Sequence, residues 1–67
     1  MRYVLELDRE EDGRWIADVP EIPGCMVYGD TPRDATNKAK ALALRVLADR
    51  LEQGDAQVED SLMFEAA

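Results

Sequence analysis

Residues 15–31 read WIADVPEIPGCMVYGDT, and this stretch decides how the rest of the chain is organised. Apolar residues alternate over 15–19, which predicts a strand whose buried face carries Trp15, Ala17 and Val19. Two prolines over 20–24 remove backbone donors and restrict the residues before them, so we expect a stiff loop there. A third short strand is predicted over 25–28, and Gly29-Asp30 closes it.

Upstream of this stretch, residues 3–9 alternate between apolar and acidic side chains. Tyr3, Leu5 and Leu7 share one face of a predicted strand, and Glu6 and Asp8 lie on the other. An acidic turn over 10–13 ends in a glycine that tolerates positive φ. The short connection predicts that the first two strands form an antiparallel hairpin.

Downstream of it, Thr31 begins a predicted helix that runs to about Gln53. Its hydroxyl can cap the first turn, Pro32 suits the first helical position, and Asp34 completes a capping-box pattern. Gly54 is typical of the residue just past a helix end. One apolar stripe is formed by Ala35, Ala39, Leu42 and Val46, and we expect it to be widened by Leu44, Leu47 and Leu51.

A polar connection over 55–60 and a last strand over 61–65, built on Leu62, Met63 and Phe64, complete the pattern. We therefore predict an α+β fold in the order β-β-β-α-β, with an antiparallel sheet and one helix packed on one face. Residues 1–67 are expected to form a single domain with no appended DNA-binding domain. The other sheet face is either solvent-exposed or an interface.

The chain has 67 residues and a formal net charge of −7. One cysteine and no histidine exclude an intrachain disulfide and a Cys/His zinc site. Because a domain this small has a marginal core, we expect a homodimer or higher homo-oligomer. The acidic charge disfavours direct contact with nucleic acid and suits a basic protein partner.

The charge is distributed unevenly along the chain. Residues 1–30 carry eight acids and three bases, residues 31–54 carry three acids and five bases, and residues 55–67 carry four acids and no bases. The strands therefore hold the negative potential and the helix is mildly basic. The sequence has neither a long apolar run nor a signal-peptide pattern, which predicts no membrane contact and a cytoplasmic location.

Two motifs together resemble the HicB-type antitoxin family. The family carries an aromatic-x-Ala-x-x-Pro-Glu-Leu-Pro-Gly-Cys stretch, which residues 15–25 match with Ile22 in place of the leucine. A Gly-Asp-Thr follows in the family, matched here at 29–31, and then a helix with an acidic residue and alanine, matched by Asp34-Ala35. The resemblance covers about residues 3–51.

This resemblance implies a partial RNase H-like fold without the catalytic acids of RNase H, and therefore a protein that is not an enzyme. Family members usually neutralise HicA, a small basic toxin that cuts mRNA, and oligomers are common among them. Many members append a DNA-binding segment, for which this sequence has no room after its last strand. The implied partner is a small basic HicA-like toxin.

Several features allow both a functional and a structural interpretation. The loop over 20–24 either contacts a partner or only bends the chain, and the segment over 29–31 either binds phosphate or caps the helix. Trp15 is either a binding hot spot or part of the core. Cys25 is either a nucleophile or a small buried apolar residue, and the absence of histidine as a base favours the second.

The candidate partner-binding residues are Glu6, Asp8, Asp18 and Glu21. The first three fall on the polar faces of neighbouring strands, and the fourth is the charged side chain of the proline loop. A two-metal carboxylate site is the alternative interpretation, but a solvated or partner-binding acidic surface is favoured. We therefore predict no catalytic residues, no metal and no cofactor.

Three functions are compatible with these observations. The first is an antitoxin-like protein that binds and occludes a basic mRNA-cleaving toxin. The second is an orphan self-associating module with no toxin partner. The third is a small hydrolase or RNA-binding protein on a degenerate RNase H-like scaffold, against which the acidic charge argues.

Overall fold

A computed structural model describes residues 1–54 and 59–67. Its elements are strands β1 (Arg2–Arg9), β2 (Trp15–Asp18) and β3 (Met26–Gly29), helix α1 (Pro32–Gln53) and strand β4 (Met63–Ala66). This order, with the helix packed on the sheet, confirms the predicted α+β architecture. The predicted polar connection over 55–60 falls outside the described residues at 55–58.

Each of the four strands differs from its predicted range by one or two residues at an end: β1 begins at Arg2 and β2 ends at Asp18. The third strand begins at Met26 instead of Cys25, because the Cys25 amide donates to the carbonyl of Ile22 in the preceding loop (3.1 Å). The last strand begins at Met63 instead of Ser61 and extends to Ala66.

The four strands form one mixed sheet in the order β3-β2-β1-β4. β1 pairs with β2, and β2 with β3, in antiparallel fashion, whereas β4 lies parallel to β1. The antiparallel prediction therefore fails at this one pairing. β4 follows β3 through a helical crossover, and a strand after such a crossover runs in the same direction as the strand before it. Because β3 is parallel in direction to β1, β4 is parallel to β1 as well.

The hairpin between β1 and β2 closes over the predicted acidic turn. The amide of Gly13 donates to the carbonyl of Glu10 (3.0 Å), and the amide of Glu10 donates to the carbonyl of Arg14 (2.7 Å). The Asp12 carboxylate contacts the Arg14 side chain at 2.7 Å. Hydrogen bonds from the Arg14 amide and side chain lower the pKa of Asp12, so the turn is held by charged as well as backbone contacts.

Both ends of α1 are capped by the residues that the sequence indicates. The hydroxyl of Thr31 accepts a hydrogen bond from the Asp34 amide (3.0 Å), and Pro32 opens the helix. The Asp34 carboxylate in turn accepts from the Asp30 amide and pairs with Lys38, and these two contacts lower its pKa. Gly54 ends the helix in the left-handed conformation at φ 76°, which glycine adopts without steric cost.

The helix packs on the sheet through small residues. Its buried positions are four apart, so they form one narrow stripe along the helix, made of Ala35, Ala39, Ala43 and Leu47. The packing is closest at Gly29, where a Cβ atom would overlap the backbone nitrogen of Ala35 and lie 2.7 Å from its Cα. The predicted stripe is wrong at Leu44 and Leu51, which are about half exposed (46% and 52%). Leu44 lies about 100° around the helix from the buried Ala43, and Leu51 lies past Leu47, the last buried position of the helix.

The helix leaves part of the β1–β4 side uncovered. There a shallow groove of about 140 Å³ lies between Leu5, Leu7 and Phe64 of the sheet and Thr36 and Lys40 of the helix. Within the described residues, no helix has both the length and the apolar character that a membrane crossing needs.

Candidate functional site

The sheet face opposite the helix is the open face. Side chains alternate between the two faces of a strand, and Leu5 and Ala17 are buried beneath the helix, so the residues one position away point outward. By the strand registers, the open face consists of Arg2, Val4, Glu6, Asp8, Ile16, Asp18, Met26, Tyr28, Met63 and Glu65.

Three of the four predicted site residues lie together on this open face. Glu6 and Asp18 are direct partners across β1 and β2, and Asp8 is paired with Ile16 in the next row. Directly opposed side chains of an antiparallel pair have Cβ atoms about 4.5–5.5 Å apart, and like charges there are destabilising. The open face thus brings three carboxylates into adjacent rows.

The described residues do not neutralise these carboxylates. Arg2 pairs with Glu65 (3.4 Å), and Arg14 pairs with Asp12 (2.7 Å). Among residues 1–54 and 59–67, no cation lies within ion-pairing distance of Glu6, Asp8 or Asp18. The open face therefore keeps an uncompensated negative charge.

Apolar side chains accompany the acids. Met26, Tyr28 and Met63 on the open face are 56%, 44% and 51% exposed. The Arg14 guanidinium lies 4.4 Å from the centroid of the Tyr28 ring, a cation–π distance. Acidic rows beside exposed apolar side chains can bind a partner that offers both cationic and apolar groups.

Glu21 has a different environment from the other three predicted residues. Its carboxylate accepts a hydrogen bond from the backbone amide of Val4 (3.3 Å). The Val4 position lies beyond the register in which β2 pairs with β1, so this contact ties the proline loop to β1 where the ladder has ended. Glu21 therefore has a structural role as well as an exposed charge.

The proline loop also supplies a core residue that the sequence analysis missed. Ile22 is 1% exposed, and it is the largest fully buried side chain in the described part of the protein. Two successive turns hold it there: the Ile22 amide donates to the carbonyl of Val19 (2.9 Å), and the Cys25 amide donates to that of Ile22 (3.1 Å). An isoleucine between two loop prolines was the available signal.

The structural interpretation holds for three other features. Trp15 is half-buried and packs against the core, with the Arg9 guanidinium 5.6 Å from its ring centroid. Cys25 is buried, its thiol contacts the carbonyl of Ala39 at 3.3 Å, and burial raises its pKa. A buried thiol with a raised pKa is a poor nucleophile. The segment over 29–31 caps the helix, as described above.

The carboxylates do not assemble into a metal centre in the described part of the chain. Within residues 1–54 and 59–67, no three acidic or thiol side chains converge closely enough to hold a metal ion. Glu6 and Asp18 oppose each other as a pair, and Asp8 occupies the next row.

The comparison with known proteins finds a relative of similar size. The chain is 29% identical over 58 residues to UPF0150 protein Ta0767 of Thermoplasma acidophilum, and the match covers 87% of this chain and 83% of the relative. No protein-family model matches the chain. No solved structure matches it either.

Proposed function

We propose that this protein is a non-catalytic, antitoxin-like binding protein that neutralises a small basic mRNA-cleaving toxin of the HicA type. The open face is the docking surface in this proposal, and occlusion of the toxin is the mechanism. The observation that carries it is the juxtaposition of Glu6, Asp8 and Asp18 in adjacent rows of one exposed sheet face.

The electrostatics of the open face support a cationic partner. The unneutralised pair of Glu6 and Asp18 is destabilising in the free protein, and a lysine or arginine side chain between them would remove that repulsion. Electrostatic complementarity of this kind accelerates association and selects the partner. The net charge of −7 adds long-range attraction for a basic protein.

The apolar residues beside the acids support a protein partner over a small cation. Typical interfaces combine an apolar centre with a polar rim, and aromatic residues and methionine are enriched in them. Met26 and Tyr28 are exposed residues of these kinds, and they lie in the same cross-strand rows as the acids.

The relative supports the family context of the proposal. UPF0150 is a HicB-like family, and the similarity extends over most of both chains. The buried thiol of Cys25 supports a binding role over nucleophilic catalysis. In this proposal the protein works in the cytoplasm, where its mRNA-cleaving partner would act.

A binding titration with a matched pair of variants tests the proposal. The HicA-type proteins of the host are purified as catalytically inactive forms and titrated with the native chain. Glu6→Gln/Asp18→Asn removes two open-face acids. Glu52→Gln/Asp60→Asn removes the same charge from exposed positions outside the open face. We expect the first variant to bind about tenfold or more weakly and the control within about twofold.

Salt and mRNA cleavage complete the test. Raised ionic strength should weaken native binding and reduce the difference between the two variants, because exposed charges are screened. The native chain should also block mRNA cleavage by the active toxin. The proposal is wrong if no HicA-type protein of the host binds at micromolar concentration, and that result would favour an orphan self-associating module.

A further inference from the structure

We propose that two copies of this chain pair through the free edge of β3, which would make one continuous eight-stranded sheet. This pairing is a self-association and does not depend on the toxin. In the sheet formed by residues 1–54 and 59–67, the strand order is β3-β2-β1-β4, so β3 and β4 are the two outer strands.

The free backbone groups of β3 belong to Met26 and Tyr28. The Cys25 carbonyl accepts from the Val19 amide (3.0 Å), so Cys25 points its carbonyl toward the β2 side. Backbone polar groups alternate in direction along a strand, so those of Val27 also point inward. The outer edge of β3 therefore presents the N–H and C=O of residues 26 and 28.

The composition of this edge favours pairing. Natural edge strands are protected by short length, charges, prolines, bulges or a cover; β3 is short, with four residues, but Met26–Gly29 contains neither charge nor proline. This is notable in a chain in which 34% of the residues are charged. The other outer strand, β4, carries Glu65, which is paired with Arg2.

A two-fold axis at Val27 would give a hydrogen-bond partner to all four outward backbone groups, the N–H and C=O of Met26 and of Tyr28. In an antiparallel pairing centred there, Met26 of each copy is the hydrogen-bonded partner of Tyr28 in the other, and each such pair exchanges two hydrogen bonds. Such an isologous contact uses the same patch on both subunits. Asp30 then faces Gly24 of the second copy, so the register opposes no two acids.

Apolar side chains lie on both sides of this edge. Thr36 and Lys40 line the groove on the β1–β4 side, and 3.6 residues per turn place Leu42 and Val46 on the opposite flank of α1. Both residues are half-buried against the core, as is Val27. On the open face, Met26 of one copy would lie beside the Tyr28 ring of the other.

Proline variants at the two sheet edges test the pairing. Met26→Pro removes an outward N–H of β3 without removing a bond to β2. Ala66→Pro does the same at the free edge of β4, because Ala67 points its N–H to Leu5 (3.0 Å). We expect a native dimer by sedimentation velocity, an Ala66→Pro dimer, and at least about a tenfold higher dissociation constant for Met26→Pro.

Amide hydrogen exchange of the native chain keeps the test decisive if Met26→Pro does not fold. The amides of Met26 and Tyr28 should be protected at high concentration and exchange rapidly on dilution, whereas those of Phe64 and Ala66 should exchange rapidly throughout. A monomer at all micromolar concentrations overturns the inference. So does an oligomer in which the Met26 and Tyr28 amides stay unprotected.

Discussion

The two faces of this sheet are built from the same strands but by different rules. Where α1 covers the sheet the two layers meet through small residues, and Ala17 of β2 and Ala35, Ala39 and Ala43 of α1 have no exposed surface. The open face sets acids opposite each other and leaves large apolar side chains in solvent. Side-chain volume therefore governs the packing of the covered face, whereas the open face carries like-charge repulsion and exposed apolar surface that nothing in the described residues relieves.

The largest expected effect on stability comes from truncating a buried side chain of the core. Ile22→Ala should lower the free energy of unfolding by about 2–5 kcal/mol, because a fully buried side chain leaves a cavity. A chain of this length has a total stability of similar size, so much of the variant should be unfolded. Urea denaturation followed by Trp15 fluorescence measures this. The control Val4→Ala, at a 37% exposed open-face position, should change stability far less; equal losses would contradict the contrast between the faces.

A second variant adds volume to the covered face. Gly29→Ala should lower the free energy of unfolding by about 1–3 kcal/mol, because overpacking forces backbone shifts. The added Cβ would meet the backbone of Ala35 and lie 2.9 Å from the Asp34 carboxylate. The same urea experiment measures the loss, and near-ultraviolet circular dichroism of Trp15 reports whether the helix has moved. An unchanged midpoint would mean that the helix can retreat from β3 without cost.

The smallest expected effect has the opposite sign. Glu6→Gln on the open face should raise the free energy of unfolding by about 0.2–1 kcal/mol, because it removes a like-charge pair across two strands. The control Glu11→Gln removes an exposed turn acid that has no partner strand opposite it. The gain should shrink at high salt. Destabilisation by Glu6→Gln would show that this carboxylate supports the fold instead of a partner.

Local sequence signals predicted most of the elements, because their causes are local. Thr31, Pro32 and Gly54 mark both helix ends by their own backbone chemistry. Period-2 alternation predicts that Glu6, Asp8 and Asp18 lie on polar strand faces, and the predicted hairpin places the two strands next to each other. The candidate site could therefore be assembled from the sequence before the sheet order was known.

The predictions that were wrong or missing concern contacts between distant parts of the chain. The parallel pairing of β4 with β1 depends on the direction of the crossover, which no residue of β4 encodes. The exposure of Leu44 and Leu51 depends on which side and which length of the helix the sheet covers. The burial of Ile22 depends on a loop folding back over the core, which a loop assignment alone does not provide.

The parallel pairing of β1 and β4 has a consequence for the order of events in folding. The N-terminal amino group of Met1 contacts the carbonyl of Ser61, at a sequence separation of 60 residues, whereas the hairpins and α1 rest on short-range contacts. Pairing between distant segments costs loop-closure entropy before it gains contact energy, so we expect β4 to dock after the rest has formed. Contacts made after the transition state affect the rate of unfolding and leave the rate of folding nearly unchanged. We therefore expect β4 to determine how long the folded state lasts, and the three remaining strands with α1 to determine how fast it is reached.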